Sequence, residues 1–143
     1  MPEGCGTWPA IWEVDEANWP NAGEIDIVEG VNNVTPNQST LHTGPGCSIP
    51  ASGVAQYGTT VGTDCNANDN GNAGCGVKSP DTNSYGPTFN ADGGGYYAME
   101  RTTTSIKRSQ MVPPASTPPP GDSLPHISRT PTATFRAASD PST

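Results

Sequence analysis

Apolar side chains are scarce in this chain of 143 residues, at 31% of the total. That bounds the protein to one small core and one domain at most. No run of 18 or more apolar residues occurs, so no segment reads as a membrane-spanning helix. Basic residues are scarcer still: 6 Lys and Arg stand against 14 Asp and Glu, for a formal net charge of −8 and a sequence pI near 4.4. Nucleic acid and anionic membrane are thereby excluded as partners, because phosphate recognition needs clustered cations. Only 2 His are present. His42 has no neighbour at metal-ligand spacing and no cysteines stand at zinc spacing, so neither metal nor cofactor is expected. The opening "MPEGCGTWPAIW" lacks the basic-then-apolar pattern of a secretory leader.

Glycine (17) and proline (16) are abundant instead, which is high for a compact unit. Four cysteines, Cys5, Cys47, Cys65 and Cys75, are compatible with two disulfides in any of three connectivities. Two Asn-x-Ser/Thr triplets begin at Asn33 and Asn37. Together these features favour an oxidising, extracellular setting, against which the missing leader stands out.

The chain changes character near residue 107. Residues 1–100 hold 12 acids and one base, Lys78, whereas residues 101–143 hold 2 acids and 5 bases, with 8 of the 16 prolines. A Pro/Ser/Thr-rich segment nearly free of aliphatic residues cannot bury enough to offset its ordering entropy, so residues 108–143 are expected to be a disordered tail. Before that point the patterning is that of an all-β fold. "GTWPAIWEV", "GEIDIVEGV", "NQSTLHT" and "GGYYAMERTTTSI" are strand candidates bounded by Gly, Pro and Asn. No 12-residue window shows a helical apolar period, and residues 44–95 read mostly as loop.

Within "GEIDIVEG", Glu24 and Asp26 share a strand face, but Glu29 is one residue out of phase. An extra residue at Val28 or Ile27, forming a β-bulge, would return Glu29 to that face and leave Ile25 and Ile27 pointing into a core. Three carboxylates on one face resist joint ionisation, so the cluster points to chemistry more than to stability. Retaining glycoside hydrolysis needs such an arrangement: a nucleophilic carboxylate faces a protonated acid across the scissile bond. Asp26 is then expected to hydrogen-bond Glu24, the pair titrating together while Glu29 holds its proton. A solvated acidic edge strand is the alternative that the spacing alone leaves open.

The stretch "GCGTWPAIWEVDEANWPNAGEIDIVEGVNN", followed by "QSTLHTGPGC", resembles glycoside hydrolase family 16, most closely its fungal laminarinase branch, the endo-1,3(4)-β-glucanases. Glu24, Asp26 and Glu29 match the family's Glu-x-Asp-x-x-Glu signature, and Trp8 to Trp12 match Trp-Pro-Ala-x-Trp. With "YGPTFNADGGGYYAMERT" the likeness reaches about residue 107, three quarters of the chain. The resemblance implies a concanavalin-like β-jelly-roll sandwich and a secreted, monomeric enzyme whose concave face binds β-glucan. By position, Glu24 is the nucleophile, Asp26 its assistant and Glu29 the acid/base. Trp8 and Trp12 line the cleft in the family, stacking on sugar faces. His42 would lie on the neighbouring strand, where it could tune protonation or bind a hydroxyl; Trp19 could serve cleft or core. The family also has members with an unbulged Glu-x-Asp-x-Glu, which include transglycosylases, and the bulged spacing here favours the laminarinase side over those. A β-glucan transglycosylase and a non-catalytic glucan-binding protein stay open as alternatives.

Family domains extend beyond this chain on both sides, so a sandwich truncated at both ends is expected: residues 1–107 form a partial catalytic domain, with exposed strand edges that favour aggregation. After Lys107 the family continues with a strand rich in Trp and Phe, whereas this chain reads "RSQMVPPAS". Met111-Val112 read one nucleotide later gives Trp, so residues 108–143 are expected to be an out-of-frame translation.

Overall fold

The computed structural model describes residues 1–50, 52–111 and 133–136. In chain order the elements are β1 (Ala10–Val14), β2 (Glu24–Glu29), β3 (Gln38–His42), β4 (Thr59–Thr60), β5 (Cys75–Lys78), α1 (Gly86–Ala91), β6 (Tyr96–Arg101), β7 (Ser105–Met111) and β8 (Ala133–Arg136). A five-stranded sheet runs in the order β1-β2-β3-β5-β4, and a three-stranded sheet in the order β6-β7-β8. All these pairings are antiparallel.

Alternation explains the core. Ile25 of β2, Leu41 of β3 and Val77 of β5 turn to one side of the larger sheet and are buried together with Ile49. Met99 of β6 and Ile106 of β7 pack against them from the second sheet, which makes the all-β sandwich expected from the strand patterning. The Cys65–Cys75 disulfide sits fully buried in the same cluster. Only this one of the two possible disulfides forms: Cys5 lies exposed in the N-terminal turn, while Cys47 packs half-buried against the core, and both are free. Toward the Val14 end of β1 the two sheets part, leaving a cavity of ≈ 710 Å³ whose apolar wall includes Val14, Ile25, Leu41 and Ile106.

Three features differ from the sequence expectations. The expected strand "GGYYAMERTTTSI" is a hairpin, because Thr102 reverses the chain by donating its backbone N–H to the Ser105 carbonyl (2.8 Å). Inside the expected loop of residues 44–95, β5 forms despite its glycine-rich surroundings, since Val77 and the disulfide supply its burial. The expected break at residue 107 falls within β7, which continues to Met111 and pairs on its far side with β8. Arg108, assigned to the tail by composition, is 2% exposed and its guanidinium stacks 5.1 Å from the centroid of the Tyr97 ring. Residues 112–132 and 137–143, the remainder of the expected tail, lie outside the described residues.

Candidate active site

The acidic cluster depends on the bulge. Across to β1, Val28 pairs with Ile11 and Asp26 with Trp12, so Ile27 is the extra residue on that side. Across to β3, Asp26 pairs with Thr40 and Glu29 with Gln38, so Ile27 and Val28 together oppose Ser39. The effect is the one the broken alternation predicts. Glu24, Asp26 and Glu29 line one cleft of ≈ 270 Å³ together with Trp8, Ala10 and Trp12. Ile25 enters the core and Ile27 packs against it.

A bulge leaves backbone groups without ladder partners, and burial makes an unpaired one costly. Here the side chains of Asn37, just before β3, and Ser39, within it, take them up. Asn37 accepts the Glu29 N–H at its Oδ1 (3.1 Å) and donates Nδ2 to the Ile27 carbonyl (3.2 Å). Ser39 Oγ donates to the same carbonyl (2.9 Å). Asn37 is 0% exposed, which sets aside its reading as a glycan acceptor in the folded protein; Asn33 remains exposed. A second clamp comes from Tyr85. Its hydroxyl reaches the carbonyls of Pro9 (3.0 Å) and Gly30 (2.9 Å), tying together the backbone just after Trp8 and just after Glu29. The approach is close enough that a Cβ on Gly30 would meet the Tyr85 ring at 2.6 Å, so only glycine fits.

Each carboxylate has its own partner. Glu29 Oε1 accepts from Trp8 Nε1 (3.0 Å) and Glu24 Oε2 from Trp19 Nε1 (2.6 Å). Asp26 Oδ2 lies 3.3 Å from His42 Nε2, and His42 Nδ1 lies 2.9 Å from Asn72 Oδ1. The expected hydrogen bond from Asp26 to Glu24 is not formed, since the Asp26 carboxylate turns to His42 and Glu24 turns to Trp19. Burial, followed by the Asp26 charge, holds the Glu29 carboxyl above its ordinary value of 4.5. The Asp26 hydrogen bond raises His42 above its ordinary 6.5, against the opposing effect of burial. The cleft therefore sets one carboxyl shifted toward its protonated form beside a neighbour bonded to a histidine shifted toward its charged form, the division that acid/base work requires.

The other predicted site residues fall into two groups. Trp8 and Trp12 both line the cleft, with Trp8 68% exposed. Trp12 sits on β1 opposite Asp26, while Trp8 precedes that strand. His42, expected to contact substrate, stands behind Asp26 and is not among the cleft-lining residues. Both its ring nitrogens are engaged, one by Asp26 and one by Asn72. Trp19, left open between cleft and core, reaches Glu24 from five residues away, whereas Asn37, Tyr85 and Asn72 went unassigned because their contacts, 8 to 76 residues distant, leave no local pattern. Among the described residues, no group of three or more His, Cys, Asp or Glu side chains is placed to hold a metal ion.

The family model described as XgeA-like, catalytic GH16 domain matches residues 1–140. An endo-1,3(4)-beta-glucanase of Arthroderma benhamiae is 45% identical over 111 residues, covering 74% of this chain and 24% of its own length. The solved structure of GH16 laminarinase 16A from Phanerochaete chrysosporium, with 6-O-glucosyl-laminaritriose in both donor and acceptor sites, is 49% identical with a TM-score of 0.82. It covers 95% of this chain and 47% of that one. An elongating GH family 16 β-1,3-glucosyltransferase is 42% identical with a TM-score of 0.76, over 96% of this chain and 46% of its own. The chain thus spans about half of these solved structures, and between 13% and 26% of the curated relatives it matches. With the bulged acidic cleft and the two-sheet frame in agreement, the chain belongs to glycoside hydrolase family 16.

Proposed function

We propose that this chain carries the catalytic centre of an endo-acting β-glucan hydrolase that cleaves 1,3 or mixed 1,3/1,4 linkages with retention. The observation that carries the reading is the bulge at Ile27, which gathers Glu24, Asp26 and Glu29 on one cleft while Glu29 is held toward its protonated form. Glu24 attacks the anomeric carbon as Glu29 protonates the departing glycosidic oxygen, giving a glycosyl-enzyme. Glu29, now a base, then takes a proton from the water that displaces Glu24. Asp26, paired with His42, supplies a fixed negative charge beside the oxocarbenium-like transition state and keeps Glu29 basic enough to protonate. Trp8 and Trp12 present apolar faces to the sugar rings. β-Glucan is the partner, no cofactor takes part, and the protein acts as a monomer. Secretion fits the buried Cys65–Cys75 disulfide, which persists in an oxidising compartment. Residues 1–107 supply the bulged cleft and the side chains around it, and β7 carries the second sheet on to Met111.

Replacing Glu29 by Gln tests the roles. Hydrolysis of laminarin is expected to fall by about 10²–10⁴-fold, while aryl β-glucosides with good leaving groups still glycosylate the enzyme. Glu24→Gln is expected to stop both reactions. Equal behaviour of the two variants on both substrates would refute the assignment. Transglycosylation is the second reading, favoured by the likeness to the elongating glucosyltransferase. Product chromatography separates the two: hydrolysis yields net reducing ends, and transfer yields longer chains.

A further inference from the structure

We propose that Asn72 is a positioning residue of this acidic centre: carried on a loop closed by the Cys65–Cys75 disulfide, its side-chain carbonyl holds one nitrogen of His42 so that the other is turned onto Asp26. The role rests on the reading of the cleft given above.

The loop is built to deliver one atom. Its first half docks on the residue after His42: Thr43 donates to the Cys65 carbonyl (2.8 Å), and Ala67 donates to the Thr43 carbonyl (2.9 Å). The loop then curls on itself through Asn66, whose side chain binds Asp69 Oδ2 and accepts the Asn68 N–H. Asn72 has φ 64°, a left-handed conformation that asparagine adopts at less cost than most residues. Its amide oxygen meets His42 Nδ1 at 2.9 Å. Gly74, at φ +63°, lets the returning backbone press against the ring, where a Cβ would stand 2.8 Å from His42 Nδ1. Cys75 then fixes the loop to β5 beside Leu41. The disulfide brackets the segment that carries Asn72, so the loop cannot drift from the ring without carrying the core with it.

The chemistry follows from having an acceptor on each side. A ring held between Asn72 Oδ1 and Asp26 Oδ2 donates from both nitrogens, which is the imidazolium form. The charged groups that bear on it are Asp26, Glu24 and Glu29, all from β2. Asn72 is the uncharged contact that selects the ring orientation among them. Without it, the ring is free to rotate or to leave one nitrogen unprotonated, and Asp26 loses a fixed cation.

Nuclear magnetic resonance titration of the full chain tests this, in a His126→Gln background so that His42 is the one histidine observed. Asn72→Gly keeps the left-handed backbone while deleting the side chain, and Asn72→Asp keeps the acceptor and adds charge. The His42 titration is expected to move to lower pH in Asn72→Gly and to higher pH in Asn72→Asp. With laminarin as substrate, kcat is expected to fall roughly 10-fold to 100-fold in Asn72→Gly, with KM little changed, and the pH profile to shift with the titration. An unchanged His42 titration in both variants would overturn the proposal. Shifted titrations in a chain that hydrolyses no glucan would uphold the placement of Asn72 and defeat the proposed function instead.

Discussion

Removal of the Asn37 side chain probes the bulge, and through it the whole cleft. Asn37→Ala deletes two hydrogen bonds at a fully buried position, one to the Glu29 N–H and one from Nδ2 to the Ile27 carbonyl. The two losses are unequal. Ser39 Oγ still serves the Ile27 carbonyl, but the Glu29 N–H is left with no partner. An orphaned buried donor costs about 1–3 kcal/mol, and the redundant bond to Ile27 about 0.5–1.5 kcal/mol. A destabilisation of roughly 2–4 kcal/mol is therefore expected, read as a lower urea midpoint at unchanged slope. Ser39→Ala leaves Asn37 on the same carbonyl and should cost only about 1 kcal/mol. Asn37→Asp sharpens the argument. Its carboxylate can accept from Glu29 but cannot donate to Ile27, so its protonated form is the one the site accommodates. Its destabilisation should shrink on acidification. Turnover should fall about 100-fold in Asn37→Ala even where the protein is fully folded, because the bulge aims Glu29. A Ser39→Ala variant less stable than Asn37→Ala, or an Asn37→Ala variant of undiminished kcat, would refute the reasoning.

Protonation offers a second test. His42 is raised above 6.5, so the native state binds its proton more tightly than the unfolded chain, and the resulting stability is present below pH 6.5 and lost as pH rises through the folded value. The urea-midpoint advantage of the parent over His42→Asn should accordingly narrow from pH 6 to pH 9; a widening gap would be contrary. Glu29 is raised above 4.5 and works in the same direction: relative to Glu29→Gln, the parent should lose stability as pH climbs above 4.5. The disulfide closes a loop of sequence separation 10, so replacing both Cys65 and Cys75 by Ser should cost about 3 kcal/mol, checked by thermal and urea unfolding. Arg108 buries an Nε with no partner, and its guanidinium is pushed down to about 10 by burial, so it remains charged at neutral pH. Arg108→Met should stabilise the fold by roughly 1–3 kcal/mol, and a loss of stability would show that the Tyr97 stacking outweighs desolvation.

Local alternation made the central strand legible. Ile25, Ile27 and the slipped Glu29 spelled out both the bulge and its inward face, and the Trp8-to-Trp12 stretch pointed to the cleft. β5 was hidden because "CGVK" lies among glycines and draws its order from Leu41 and Cys65 rather than from its own propensity. Asn37 was visible only as a glycosylation triplet, since nothing nearby in sequence shows that its amide will meet residues 27 and 29. His42 was placed beside the acids, but its contact with Asn72, thirty residues away on a loop that sequence shows only as turn-rich, was not legible. The compositional break at Lys107 lies inside β7 for a related reason. Composition averages over a window, and Arg108 is ordered by the register of β7 against β6 rather than by its own chemistry.

The cavity between the sheets also bears on how the protein responds to temperature. Val14, Cys47 and Ile106 border this open space of ≈ 710 Å³ and are only half-buried, so unfolding hydrates less new apolar surface there than a closed core would. Heat capacity registers that difference directly. The increment on unfolding should fall below the usual ~12–15 cal/mol/K per residue, giving a shallow stability curve and a broad calorimetric transition. An apolar solute that fills the space should steepen both.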